Sequence, residues 1–196
     1  MQSKIFTSAY FGSIDYFAHL VQAKEVIIET HDNFQKQTYR NRCYIYGANG
    51  KLLLNLPIKH PKLEGLKPKV KDAEISEQMK WKNNHWKSIQ SAYQTSPYFE
   101  FYEDELKPIF EKEHSSLLDL NLETIELIKD LIQGEWEIRK TDTFITEYPK
   151  SEDLRDYFET LTNIYSKNDD GKTLVEWLKD DWSLFSHQSM DNLKSN

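Results

Sequence analysis

The sequence predicts an α/β fold: a single domain with a mixed sheet and flanking helices, in which an N-terminal β-α-β unit is followed by a basic β-hairpin and a helical C-terminal half. Three observations carry this expectation. Two short apolar runs bracket a helix-period stretch near the start, Ala48-Asn49-Gly50 separates two alternating stretches, and apolar residues recur every three or four positions from Trp81 onward.

Lys4 to Thr7 is a short apolar start, and Ser13 to Ala23 places Ile14, Phe17, Ala18 and Val21 at helical spacing. Glu25 to Glu29 is a β-branched run, so the unit favours a parallel pair joined by a right-handed crossover. From Phe34 to Tyr46 an extended chain puts Lys36, Arg40 and Arg42 on one side, and Cys43 opposite them in the core. Ala48-Asn49-Gly50 tolerates positive φ, and Lys51 to Ile58 forms the returning strand of a hairpin.

Pro57, Pro61, Gly65 and Pro68 mark a loop, with a further strand expected at Val70 to Ile75. A helix from about Met79 to Tyr93 carries Trp81, His85 and Ile89 on one face, and Ser96-Pro97 ends it. Tyr98 to Phe110 and Ser116 to Ile132 read as helices, the second capped by its serine and closed near Gly134. Phe144 and Ile145 read as a strand, and Ser151 to Tyr165 as a helix with a capping serine. Lys172 to Phe185 aligns Leu174, Trp177, Leu178 and Trp182, so the domain is expected over residues 1–185 with a disordered tail at 186–196.

The chain has 196 residues, 38% hydrophobic and 13% aromatic, which is enough to build a core without staples. Cys43 is the sole cysteine, so no internal disulfide and no thiolate zinc site can form. No two histidines sit three or four apart and no HExxH occurs; neither a metal nor a cofactor is expected. The first residues lack a long apolar stretch, so no membrane span and a cytoplasmic location are expected.

The net charge is -7, but it is unevenly spread. Residues 35–71 carry nine cations against one acid, whereas residues 97–196 carry 11 cations against 24 acids. A basic segment inside an acidic protein points to a local anion site, and a nucleic-acid groove would come with a basic whole. The competing reading is that these lysines solvate a loop and offset the acidic half.

Arg40-Asn41-Arg42 with Lys36 is the densest polar constellation, and two guanidinium forks one step apart suit a phosphate or carboxylate. Alternatively both arginines pair with acids inside the fold. His31-Asp32 follows the second strand, at the end where open α/β sheets bind ligands, and an imidazole there suits proton transfer; a plain turn is the alternative. His85 shares a helix face with Trp81 and Ile89, which favours a packed core histidine over a ring that reaches the cleft. Trp177 and Trp182 are ordinarily core, and an exposed version would support self-association into a homo-oligomer.

Several words in order resemble one family. Ala9-Tyr10 through Tyr16-Phe17, Glu25 to Glu29, Asn33 to Arg42 with Ile45, and Asn49-Gly50 before Leu56-Pro57-Ile58 come first. Trp81, His85, Ile89 and Tyr93 at four-residue steps, and Pro97-Tyr98-Phe99, follow. Together they resemble the WbqC-like proteins over roughly residues 3–130. That resemblance implies a cytoplasmic bacterial protein in the setting of O-antigen and surface-polysaccharide biosynthesis, hence of activated sugars. It maps onto Tyr16, Phe17, Lys36, Arg40, Asn41, Arg42, Trp81, His85, Pro97 and Tyr98. This chain departs from the pattern at Ser8-Ala9, Gly12 and Thr30-His31, and the family's C-terminal Pro-Asn-x-Ser segment is not recognisable in residues 165–196.

These readings converge on a group transferase for a small anionic ligand, such as a nucleotide-linked sugar. Lys36, Arg40 and Arg42 would bind the anion, His31 or His85 would move a proton, and Asn41 and Tyr98 would orient the ligand. A nucleotidylyltransferase is disfavoured because Phe11-Gly12-Ser13-Ile14-Asp15 has no histidine. The alternative class is a non-catalytic binding or assembly module that contacts a partner protein.

Overall fold

A computed structural model describes residues 3–59, 67–77, 80–96, 98–148 and 151–158. Two buried strands lie at its centre. β1 (Ser3–Thr7) and β2 (Glu25–Glu29) are apolar inside, as strands covered on both faces must be, and they pair in parallel with Ile5 opposite Ile27. Between them α1 (Ile14–Val21) starts where the Ser13 hydroxyl accepts the Tyr16 amide at 3.2 Å. Its buried face is Tyr16, Phe17 and Leu20, and the Tyr16 ring meets Phe6 of β1 edge-on with centroids 5.5 Å apart. Burial of each such ring contributes roughly 1.5–3 kcal/mol.

The sheet is completed from the far end of the described chain. β5 (Glu137–Lys140) pairs with β2, and β6 (Glu152–Asp153) pairs with β1, both in parallel, which gives the order β5-β2-β1-β6. The antiparallel component is a separate ribbon of β3 (Arg42–Gly47) and β4 (Gly50–Asn55), with Cys43 opposite Leu54 and Gly47 opposite Gly50. The mixture of strand directions therefore lies between two sheets. Gly50 sits at φ 99°, which an L side chain would resist, and this closes the turn.

A core forms between this ribbon and three helices: α2 (Trp81–Tyr93), α3 (Phe99–Glu111) and α4 (Leu117–Leu131). Cys43, Leu54 and Leu56 of the ribbon region meet Trp81 and Ile89 of α2, Ile109 and Phe110 of α3, and Leu117 and Leu120 of α4. The Ser116 hydroxyl caps α4 by accepting the Asp119 amide. Among the described residues, no helix is long and apolar enough to cross a membrane.

Three expected elements differ. Val70–Asp72 is a single 3-10 turn instead of a strand, because a turn buries both Val70 and Ala73 where alternation would have exposed one of them. Phe144 and Ile145 are 48% and 45% exposed and belong to no strand; the strand lies earlier, next to the buried Trp136. Residues 152–153 form β6, with the Leu154 amide reaching the Ile5 carbonyl at 2.9 Å, so the expected helix begins only at Arg155. The remainder of that helix, the Leu174-Trp177-Leu178-Trp182 face, the tail at 186–196, and Met79 and Pro97 lie outside the described residues.

Candidate functional site at the carboxyl ends of the parallel strands

Parallel strands that all point one way gather the residues that follow them at one edge, where α/β sheets bind ligands. Here that edge is polar. Glu29 ends β2 and is fully buried, yet it is a carboxylate in an apolar sheet. Its Oε1 accepts from the His31 amide at 2.7 Å and from the Thr141 hydroxyl at 2.9 Å. Oε2 accepts from the Tyr148 hydroxyl at 3.4 Å and lies 3.6 Å from Nη1 of Arg155. Burial needs this many donors, since a carboxylate without them would be costly in the interior. Desolvation, followed by the nearby Glu29 charge, holds the Tyr148 hydroxyl above its usual pKa, while the hydrogen bonds that Arg155 donates to Asp153 raise its own.

His31 sits above this carboxylate. Its Nδ1 is 3.1 Å from Thr30 Oγ1 and 3.5 Å from Thr141 Oγ1, and its Nε2 is 3.1 Å from Nζ of Lys71. Because the ammonium only donates, Nε2 is the acceptor in this arrangement and the ring proton resides on Nδ1. Lys71 is brought there by backbone bonds that staple residues 68–71 alongside 30–34. The Phe34 amide reaches Pro68 O, the Val70 amide Asp32 O, and the Lys71 amide Thr30 O, at 2.8–3.0 Å.

The expected cationic face does not form. Residues 35–41 are turn, with Gln37 at φ 66°, and the Thr38 hydroxyl donates to Gln35 O at 3.0 Å. These local side-chain bonds replace the extended alternation that would have aligned Lys36, Arg40 and Arg42. Arg40 is instead 1% exposed and its Nη2 donates to Asp32 Oδ2 at 2.8 Å. Arg42 lies on the ribbon, its Nε donating to Asn55 Oδ1 at 2.9 Å, and Lys36 stands exposed in the turn.

Asn41 is buried, and its amide donates to Leu56 O at 3.1 Å, closing the base of the ribbon. Asn121 of α4 donates to Arg40 O at 2.8 Å and to Ser8 Oγ at 3.1 Å, which ties the turn to the end of β1. His85 is buried beside Trp81, its Nδ1 2.9 Å from the Tyr10 hydroxyl, and burial pushes its pKa down to about 4. Tyr98, 69% exposed, stands at the rim of a separate hollow of about 430 Å³ between the ribbon and α2 to α4.

The structure thus brings His31 together with Lys71, Thr30, Thr141 and Glu29, and leaves His85 and Tyr98 elsewhere. Glu29 was visible in the sequence as an acid ending a β-branched run; Lys71 and Thr141 carried no local signal. Among the described residues, no three His, Cys, Asp or Glu side chains are placed to hold a metal ion.

The chain belongs to the WbqC-like protein family: the family's model matches residues 8–176, a stretch that contains the whole of this edge from Glu29 to Arg155. No curated protein and no solved structure matches it.

Proposed function

We propose that this WbqC-like protein is a group transferase that takes an anionic activated compound, a nucleotide-linked sugar, at the carboxyl ends of β1, β2 and β5. The carrying observation is the His31 ring held between two threonine hydroxyls and the Lys71 ammonium. Lys71, exposed at this edge, is the cation proposed to meet an incoming phosphate, with Lys36 on the turn at 35–41 and Arg42 on the ribbon. When the ammonium turns to the phosphate, Nε2 of His31 is released to take the proton of an acceptor hydroxyl as that oxygen bonds the transferred group, and the nucleotide leaves with the electrons of the broken bond. Glu29 fixes the His31 backbone, and Arg40 holds Asp32, the residue beside it. The reading puts the protein in the cytoplasm, in surface-polysaccharide biosynthesis.

The test is thermal shift and calorimetry against uridine-, guanosine- and thymidine-diphosphate sugars. One of them should raise the melting temperature, Lys71→Ala should abolish that rise, and His31→Ala should keep binding while losing turnover. Absence of any shift across the panel, or a shift untouched by Lys71→Ala, overturns the reading. A second reading, a non-catalytic module for a partner protein, draws on Tyr98 and Phe101, which are 69% and 68% exposed. A stable complex or oligomer without ligand response would favour it.

A further inference from the structure

The hollow beside the ribbon shares no residue with the sheet-edge cluster. Its floor is buried side chains of the ribbon, Cys43 and Leu54, and its walls are aliphatic residues of α2 and α4 such as Ile89 and Leu131. From this floor the lining grades outward to Tyr98 and Tyr102, which are 69% and 42% exposed. No lining side chain among the described residues is charged. At about 430 Å³ the space is of the size that encloses a small ligand.

The charges around it are negative on balance: α4 carries Asp119, Glu123, Glu126 and Asp130 against Lys129, and α2 carries Lys82 and Lys87. Cys43 and Ile45 face the hollow, so alternation turns Arg42 and Tyr44 away, and Lys51 lies over the Tyr44 ring at 4.0 Å, on that far face. α3, which supplies one wall, carries Glu100, Glu103, Asp104, Glu105 and Glu111 against Lys107 alone. The mouth is therefore hydroxylic and set in a negative field.

We propose that this hollow binds the hydrocarbon tail of an amphiphile whose head group is uncharged, the tail running in to Cys43 and Leu54 and the head meeting the tyrosine hydroxyls at the rim. Apolar walls without a counter-charge provide no place for an ionised group, and Glu103 and Glu105, which flank the lining residues of α3 at helical spacing, disfavour an anionic head. A fatty-acid anion is the ligand this field selects against.

The experiment uses the full chain and the neutral dye N-phenyl-1-naphthylamine, whose fluorescence rises in apolar surroundings, with 1-decanol and decanoate as competitors at pH 8. Dye uptake should saturate, 1-decanol should displace it, and decanoate should compete about fivefold more weakly. Leu131→Trp fills the hollow and should abolish uptake in a variant shown to be folded by circular dichroism. Tyr98→Lys, at an exposed position that does not endanger folding, should narrow the gap between the two competitors. Non-saturable uptake, uptake unchanged in folded Leu131→Trp, or equal competition by decanoate overturns the proposal. So does a concentration-dependent dimer that excludes the dye, which would assign this face to a second copy of the chain.

Discussion

Arg40 and Asp32 join through Nη2 and Oδ2 at 2.8 Å, and the guanidinium end of this pair is almost wholly withdrawn from water. A cation in that position anchors Asp32, the residue next to His31. Removing the guanidinium leaves the Asp32 carboxylate, 23% exposed, without this partner and the space of Arg40 without its charge, so Arg40→Met should cost about 3 kcal/mol. Arg42, whose partner Asn55 is at the surface, should cost no more than about 0.5 kcal/mol as Arg42→Ala. Urea unfolding of the two variants checks the contrast; equal costs would remove Arg40 from the structural role.

His85 supplies the pH prediction. Burial lowers its pKa to about 4 from an ordinary 6.5, so the unfolded chain binds this proton across a window where the folded chain does not. Stability from this group is present above pH 6.5 and is lost as pH falls towards 4, by up to about 3 kcal/mol. His85→Gln should flatten that part of the stability profile relative to the parent chain. A parallel profile in the variant would show that the ring takes up its proton without leaving the core.

The β1-α1-β2 unit was legible because each signal is local: β-branched strands, a capping Ser13, and aromatic residues at helical spacing. The turn at 35–41 was not, since alternation there is overridden by Thr38 bonding its own backbone and by the left-handed Gln37. β6 is two acidic residues with no apolar pattern, and only the open edge of β1 makes them a strand. The same limit applies to the site. His31 was placed correctly at a strand end by its position after Ile28, but Lys71 reaches it across forty residues through tertiary backbone bonds. No spacing rule encodes that approach.

Glu29 and Thr141 give a prediction for the sheet edge. The Thr141 hydroxyl donates to Oε1 of the fully buried carboxylate, and its oxygen accepts the Thr30 amide at 3.1 Å. Thr141→Val keeps the shape and removes both bonds, which should cost about 2 kcal/mol, because the deserted groups cannot recover water. Thr141→Ser should restore most of it. If valine and serine behave alike under urea unfolding, packing at this position outweighs the hydrogen bonds.

Gly12 lies against α1, where an added Cβ would come within 2.5 Å of Cδ1 of Tyr16. That ring cannot retreat easily, since it is buried and its hydroxyl donates to Thr7 O at 2.9 Å. Gly12→Ala should therefore destabilise by about 1–3 kcal/mol, the usual range for overpacking. The melting temperature of Gly12→Ala checks this; a stable variant would mean that the loop shifts instead of the ring.

Cys43 reports on all of these variants. Burial pushes its thiol up to about 12, so at pH 8 almost none of it is thiolate, the form that attacks an aromatic disulfide reagent. Native protein should react slowly, and the rate should follow the fraction of molecules that open. Where reclosing is faster than labelling, Arg40→Met should raise the rate on the order of a hundredfold, in step with its loss of stability. Because Cys43 also lines the apolar hollow, reagent entering by that route would label it without unfolding. A rate that is fast in the parent chain and unchanged by Arg40→Met would identify the hollow as the path of entry.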